Sequence, residues 1–447
     1  MKGRVMMNRE KPLLFALAAA SAALLATPIL ITALVLSPSE RKLERMQSDQ
    51  AAVDVFVGTA EHAPFVNQAA QEAFSNERST LNPDTKALYT YRSPEGISFI
   101  SRSAAWDENK LQALYRELLQ NKHGKELWSL SEVIVYPQAD PFAAATHQNK
   151  KQVNTFYLDF PALPKNYGFT LSRKAGVITL YDGDRRDTVA SMASSLSHEY
   201  GHHYTFYHMF PEYDDESKLL ESDYAALRGL DKDKVLIDRS DEQFYFDNHH
   251  WYLVELAAED YVTLMGSPLS REIADFHDVQ DYLNGYSGVV YSARNDRVQE
   301  NLMIPMASEK EGLADYFYRF LDEPAPDLPP RRQIDITVQQ GSKSYDLDSG
   351  YRTFVHYTLT WNKAYGDDAI YTLVSYCEDD YEGTFYPIKT VRPGQEAVAY
   401  IGSVTAEGEQ SVKVMEDHLA SGTRTFVVTA VLPDGTMHKS DPLRYTF

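Results

Sequence analysis

The chain has 447 residues, 43% of them hydrophobic and 24% charged, and a formal net charge of −21. That length allows two or three domains with ordinary cores. A surface this acidic, without a basic aromatic-rich stripe, argues against nucleic acid as a partner and against a broad electrostatic contact with anionic lipid.

In chain order, the first feature is an uncharged run from Pro12 to Leu36. About 20 apolar residues suffice to cross a bilayer as a helix. The run exceeds the apolar region of a cleavable signal peptide, and no small-x-small cleavage site precedes Ser37. Residues 12–36 are therefore expected to be an uncleaved transmembrane anchor. Lys2, Arg4, Arg9 and Lys11 precede it, which favours a cytoplasmic N-terminus and a single-pass cell-membrane protein with its body outside. A lone cysteine, Cys377, excludes an intrachain disulfide and suits a bacterial surface protein better than a eukaryotic secretory one.

Residues 37–94 are polar and Ala/Gln/Ser-rich and read as a stalk. From 95 to 321 the pattern is α/β. "GISFISR", "EVIVYP", "VNTFYLDF" and "GVITLYDGD" are strand-like. "DENKLQALYRELLQNKHG" has helical spacing and closes on Gly124 as an expected C-cap. Asp187 is the expected N-cap of the helix "TVASMASSLSHEYGHHYTFYHM". Three more helices are expected in "ESKLLESDYAALRGL", "NHHWYLVELAAEDYVTLMG" and "SEKEGLADYFYRFL". Residues 322–330, "DEPAPDLPP", form a Pro-rich linker. From 331 to 447 the period changes to two. About seven short strands there suggest an immunoglobulin- or fibronectin-like β-sandwich.

The chemistry concentrates in His198, Glu199 and His202, which spell H-E-x-x-H on a helix. Side chains four apart share a face, so both imidazoles can reach one zinc ion. Glu199 lies about 100° round the helix, placed to take a proton from a water at the ion. Farther on, Glu255 and Glu259 are also four apart, in an otherwise small or apolar helix. Buried carboxylates need a cation or donors, although a solvated face carrying Glu255, Glu259 and Asp260 is the plainer alternative.

H-E-x-x-H on one helix and E-x-x-A-E on a later one resemble a gluzincin metallopeptidase, nearest the lethal-factor-like proteases and distantly thermolysin-like. The resemblance covers residues 95–321 and implies a zincin-like α+β domain holding one zinc per chain. It implies Glu255 as third ligand, Glu199 as general base and Glu259 as the carboxylate that orients a ligand histidine. The family places a tyrosine near the start of the glutamate helix to stabilise the transition state. Tyr245, His249, His250 and Tyr252 are the candidates here. Residues 176–182, "GVITLYD", are either an edge strand to which an extended peptide adds or an ordinary buried strand. The expected function is a membrane-anchored zinc endopeptidase acting on a peptide or protein substrate. The alternative is a surface binding protein that retains the fold without turnover. The C-terminal sandwich carries no catalytic constellation; it is expected to bind a surface partner or to space the enzyme.

Overall fold

The computed structural model describes residues 86–447, except 141–142, 158–167, 211–215, 231–233, 237–247, 287–298, 322, 348–349, 378–384 and 409–410. The expected anchor lies outside the described residues, and none of the helices described is long and apolar enough to cross a membrane. The chain divides into two compact units, residues 60–152 with 173–447, and residues 1–59 with 153–172. The first carries His198, His202 and Glu255 and every element described below except residues 153–157 and 168–172 of two strands.

The N-terminal part of that unit is α+β. Strands β1 (Tyr89–Arg92) and β2 (Ser98–Ser101) form an antiparallel pair, the first of them within the run expected as a stalk. Helix α1 (Glu108–Leu118) crosses over to β3 (Leu130–Val135), which runs parallel to β2. Asp107 caps α1 by accepting from the Lys110 N–H at 2.9 Å. The apolar spacing buries Leu111, Leu114, Tyr115 and Leu118. The helix ends at Leu118 rather than at Gly124, which instead opens a short turn at Lys125–Ser129. Strands β4 (Ala145–Tyr157) and β5 (Gly168–Leu180) complete the sheet, in the order β1-β2-β3-β5-β4.

That order corrects the edge-strand expectation. The 176–182 run lies inside the sheet, paired with β3 and flanked by β4, and residues 175–180 are all buried. An all-apolar run suits a strand covered on both faces. The edges belong to β1 and β4.

Helix α2 (Val189–His208) begins at Thr188 rather than Asp187. The Thr188 hydroxyl accepts from the Ser191 N–H, and the Ser191 side chain answers it in a capping box. After the short helix α3 (Asp223–Arg228) comes α4 (Leu253–Met265), the glutamate helix, in which every residue is buried. Helices α2 and α4 pack closely because Gly201 has no side chain. A Cβ there would lie 2.8 Å from the Ala258 carbonyl oxygen and 3.1 Å from its Cα. Asp260 on α4 turns away from α2: it accepts from Arg228 Nε at 2.8 Å and from the Tyr224 hydroxyl at 2.6 Å. Two further short helices, α5 (Val279–Leu283) and α6 (Leu313–Tyr318), follow.

The C-terminal part is all-β and antiparallel. Strands β6 (Ile336–Leu347), β7 (Gly350–Trp361) and β10 (Val398–Gly402) form one sheet. A second sheet joins β8 (Ile370–Cys377), β9 (Phe385–Val391), β13 (Thr423–Val431), β14 (Met437–Lys439) and β15 (Leu443–Thr446). Strands β11 (Val404–Gly408) and β12 (Ser411–Met415) pair separately. Leu359 and Ile401 of the first sheet share a core with Leu373, Phe426 and Val428 of the second.

Candidate metal centre

Helix α2 presents His198 and His202 on successive turns, and α4 brings Glu255 opposite them. Glu255 Oε2 lies 3.1 Å from His198 Nε2 and 2.9 Å from His202 Nε2. One donor atom from each of the three lies within 4.8 Å of the others, the one such group of three or more among the described residues. Donors on one tetrahedral zinc at roughly 2.0–2.1 Å stand about 3.3 Å apart, so the two His–Glu separations fit a shared ion. Two imidazoles and a carboxylate are also a donor set that zinc accepts. Glu255 is 2% exposed. Burial pushes its carboxyl up, but the His202 and His249 imidazoles and the bonds from His198 and His202 outweigh this and hold it well below the usual carboxylate range. It therefore stays ionised, as a metal ligand must. Glu199 follows His198 on α2 and is buried.

Of the four candidate transition-state stabilisers, the structure brings His249 to the site. Its Nε2 lies 3.1 Å from the same Glu255 oxygen, yet it stays outside the mutually close donor triad. Its Nδ1 lies 2.9 Å from Glu300 Oε2. Burial disfavours its charge, but the Glu300 and Glu255 carboxylates prevail and raise its pKa well above the ordinary imidazole range. Both ring nitrogens are then donors. Glu300 in turn is held at about 2: burial would raise it, and the His249 charge and hydrogen bond prevail. Tyr252 is fully buried at the N-cap of α4, and His250 lies beside Trp251, with ring centroids 5.9 Å apart. Tyr245 lies outside the described residues.

Glu259 departs from the orienting role that the resemblance implies. Its Oε1 accepts the backbone N–H of Glu300 at 3.2 Å, and its Oε2 is buried with no hydrogen-bond partner among the described residues. It thus supports the segment that holds His249 rather than a ligand histidine.

The other histidines of α2 hold the fold. His208 Nε2 lies 2.7 Å from Glu126 Oε2, and His203 Nε2 lies 2.8 Å from the Glu126 carbonyl. Glu126 is fully buried and also accepts from the Tyr200 hydroxyl at 2.7 Å and the Gly124 N–H at 2.9 Å. Sequence reasoning missed Glu300 and Glu126. Neither lies in a motif, and each reaches its histidine from far along the chain.

No protein-family model, characterised protein or solved structure matches the chain.

Proposed function

We propose that the chain is a membrane-anchored zinc endopeptidase. In this reading a zincin-like domain carries the site, and an immunoglobulin- or fibronectin-like sandwich follows it. Residues 12–36 tether both outside the cell, with the N-terminus in the cytoplasm. The observation that supports it is the convergence of His198, His202 and Glu255 within 4.8 Å, with buried Glu199 on the same helix. Zinc held by these three residues would polarise a peptide carbonyl and make a water more acidic.

Glu199 is the base that takes the proton of that water and passes it to the leaving amine. His249, oriented by Glu300, donates toward the oxygen on which charge develops. An extended substrate adds to the outer side of edge strand β4 through main-chain hydrogen bonds.

The test uses the full chain, purified in detergent and loaded with zinc, and its Glu199→Gln variant against a broad peptide library. The variant should fold and retain one zinc while hydrolysis falls by about 10²- to 10⁴-fold. Equal hydrolysis by variant and wild type would refute the mechanism. A wild type that binds zinc but cleaves nothing would instead favour a surface binding protein.

A further inference from the structure

The β8–β13 pair is buried on both faces, and alternate residues sort into two cores. Leu373, Phe426 and Val428 face the other sheet of the all-β part. Val374 and Val427 face the opposite way, with Phe385 and Met437, and pack with Ile273, Leu302 and Met306 of the α+β part. Ordinary single-sided sheets alternate buried with exposed. Here the second face is covered by residues from two stretches, 271–286 and 299–309.

Polar contacts fasten both stretches. Arg392 donates to Asp275 Oδ1 and to the Ile273 carbonyl, both at 2.7 Å. The Thr390 N–H donates to the Phe276 carbonyl at 2.9 Å, and the Thr390 hydroxyl accepts from the Phe276 N–H at 3.1 Å. The Tyr400 N–H donates to Asp278 Oδ2 at 2.9 Å. At the far end, the Lys439 N–H donates to Glu309 Oε1 at 2.9 Å.

The 299–309 stretch also carries the residues that hold His249. Glu300 accepts from its Nδ1, and Asn301 Nδ2 donates to the His250 carbonyl at 3.1 Å. Leu302, two residues past Glu300, is 1% exposed and inserts into the apolar contact with Val374 and Val427.

We propose that the all-β part is a working component of the active site: its β8–β13 face, through Leu302, fixes the Glu300 segment and so positions His249 beside Glu255. This rests on the endopeptidase reading for its catalytic consequence, but the positioning itself does not. Val427 and Leu302 are positioning residues; neither touches the reacting atoms.

Adjacent residues on β13 supply a matched test. Val427 and Val428 are both fully buried, one on each face. Val427→Ala and Val428→Ala remove the same atoms from the same strand, so they should lower the denaturation midpoint similarly. They are compared in the full zinc-loaded chain in detergent, by kinetics and by hydrogen exchange of peptides spanning 299–306. Val427→Ala should speed exchange there and lower kcat by about 10- to 100-fold, because small misplacements of a catalytic group are costly. KM and zinc content should not change. Val428→Ala should leave exchange at 299–306 and kcat at wild-type values. Indistinguishable variants in exchange and kcat would overturn the proposal. If wild type cleaves nothing, the endopeptidase reading fails, yet the exchange contrast still decides whether this face fixes the Glu300 segment.

Discussion

The Glu259 carboxylate accepts the backbone N–H of Glu300 at 3.2 Å, joining the glutamate helix to the segment that orients His249. Burial and the neighbouring Glu300 charge push the Glu259 pKa well above the usual carboxylate range. Its charged form is therefore disfavoured, and its Oε2 is buried without a hydrogen-bond partner among the described residues.

Glu259→Gln should consequently behave as wild type, since an amide oxygen can accept the same N–H. Glu259→Ala leaves that N–H without its partner and should lose about 1–3 kcal/mol of stability. Zinc content should be unchanged in both, because Glu259 bonds to neither ligand histidine. Denaturant midpoints and metal analysis check this. Loss of zinc by Glu259→Ala at full stability would restore the orienting role that the resemblance implies.

The metal assignment divides the histidines of α2 into two kinds. His198→Ala should abolish stoichiometric zinc binding while leaving most of the fold intact, because His198 is partly exposed and its imidazole meets the Glu255 carboxylate. His208→Ala should do the reverse. It leaves buried Glu126 without its hydrogen bond to His208, which costs about 1–3 kcal/mol, and zinc is retained by whatever fraction folds. Metal analysis beside a melting curve separates the two. Full zinc in His198→Ala would sink the proposed ligand set.

The part of the site legible in the sequence is the part written locally. His198 and His202 share a helix face by spacing alone, and Glu255 stood out as a carboxylate in an apolar helix. Glu300 was illegible because it meets His249 across 51 residues without any periodicity. The buried character of 175–180 was readable from its continuous apolar run, but which strand forms the edge depends on long-range pairing. Strand β9 is hard to read from sequence because Pro387 breaks its pattern. The register there shifts between Leu373 and Val374, a bulge of the kind that lets proline enter a sheet. The two-sided burial of β13 likewise becomes intelligible only once Ile273, Leu302 and Met306 cover its second face.

Gly201 makes packing and metal binding depend on each other. A Cβ at this position meets backbone atoms of Ala258, which cannot swing aside as a side chain can. Gly201→Ala should therefore push α2 from α4 and cost about 1–3 kcal/mol. The same displacement separates His198 and His202 from Glu255, so zinc affinity should fall with stability. Ala193→Gly, on α2 but away from this contact, should lose stability by propensity and lost burial while keeping zinc affinity. Zinc titration of both variants checks the coupling; unchanged affinity in Gly201→Ala would show that the ligands tolerate a wider helix spacing.

Acid should unfold the protein partly through Glu126. Burial raises its carboxyl pKa, but the His208 imidazole, the Gly124 N–H and the Tyr200 hydroxyl outweigh that and hold it below its ordinary 4.5. A carboxyl depressed in the folded state binds protons more readily when unfolded. Its contribution is thus fully present above the unfolded value of about 4.5 and is lost as pH falls through the lower folded value. His208→Ala removes the strongest opposing partner and leaves burial in control, so the carboxyl should rise above its ordinary value. The acid limb of stability should then begin at higher pH in the variant than in wild type. Denaturant midpoints measured across the acid range on zinc-free protein isolate this from loss of the metal. An acid limb at the same pH in both proteins would mean that the Gly124 and Tyr200 bonds, not His208, keep Glu126 ionised.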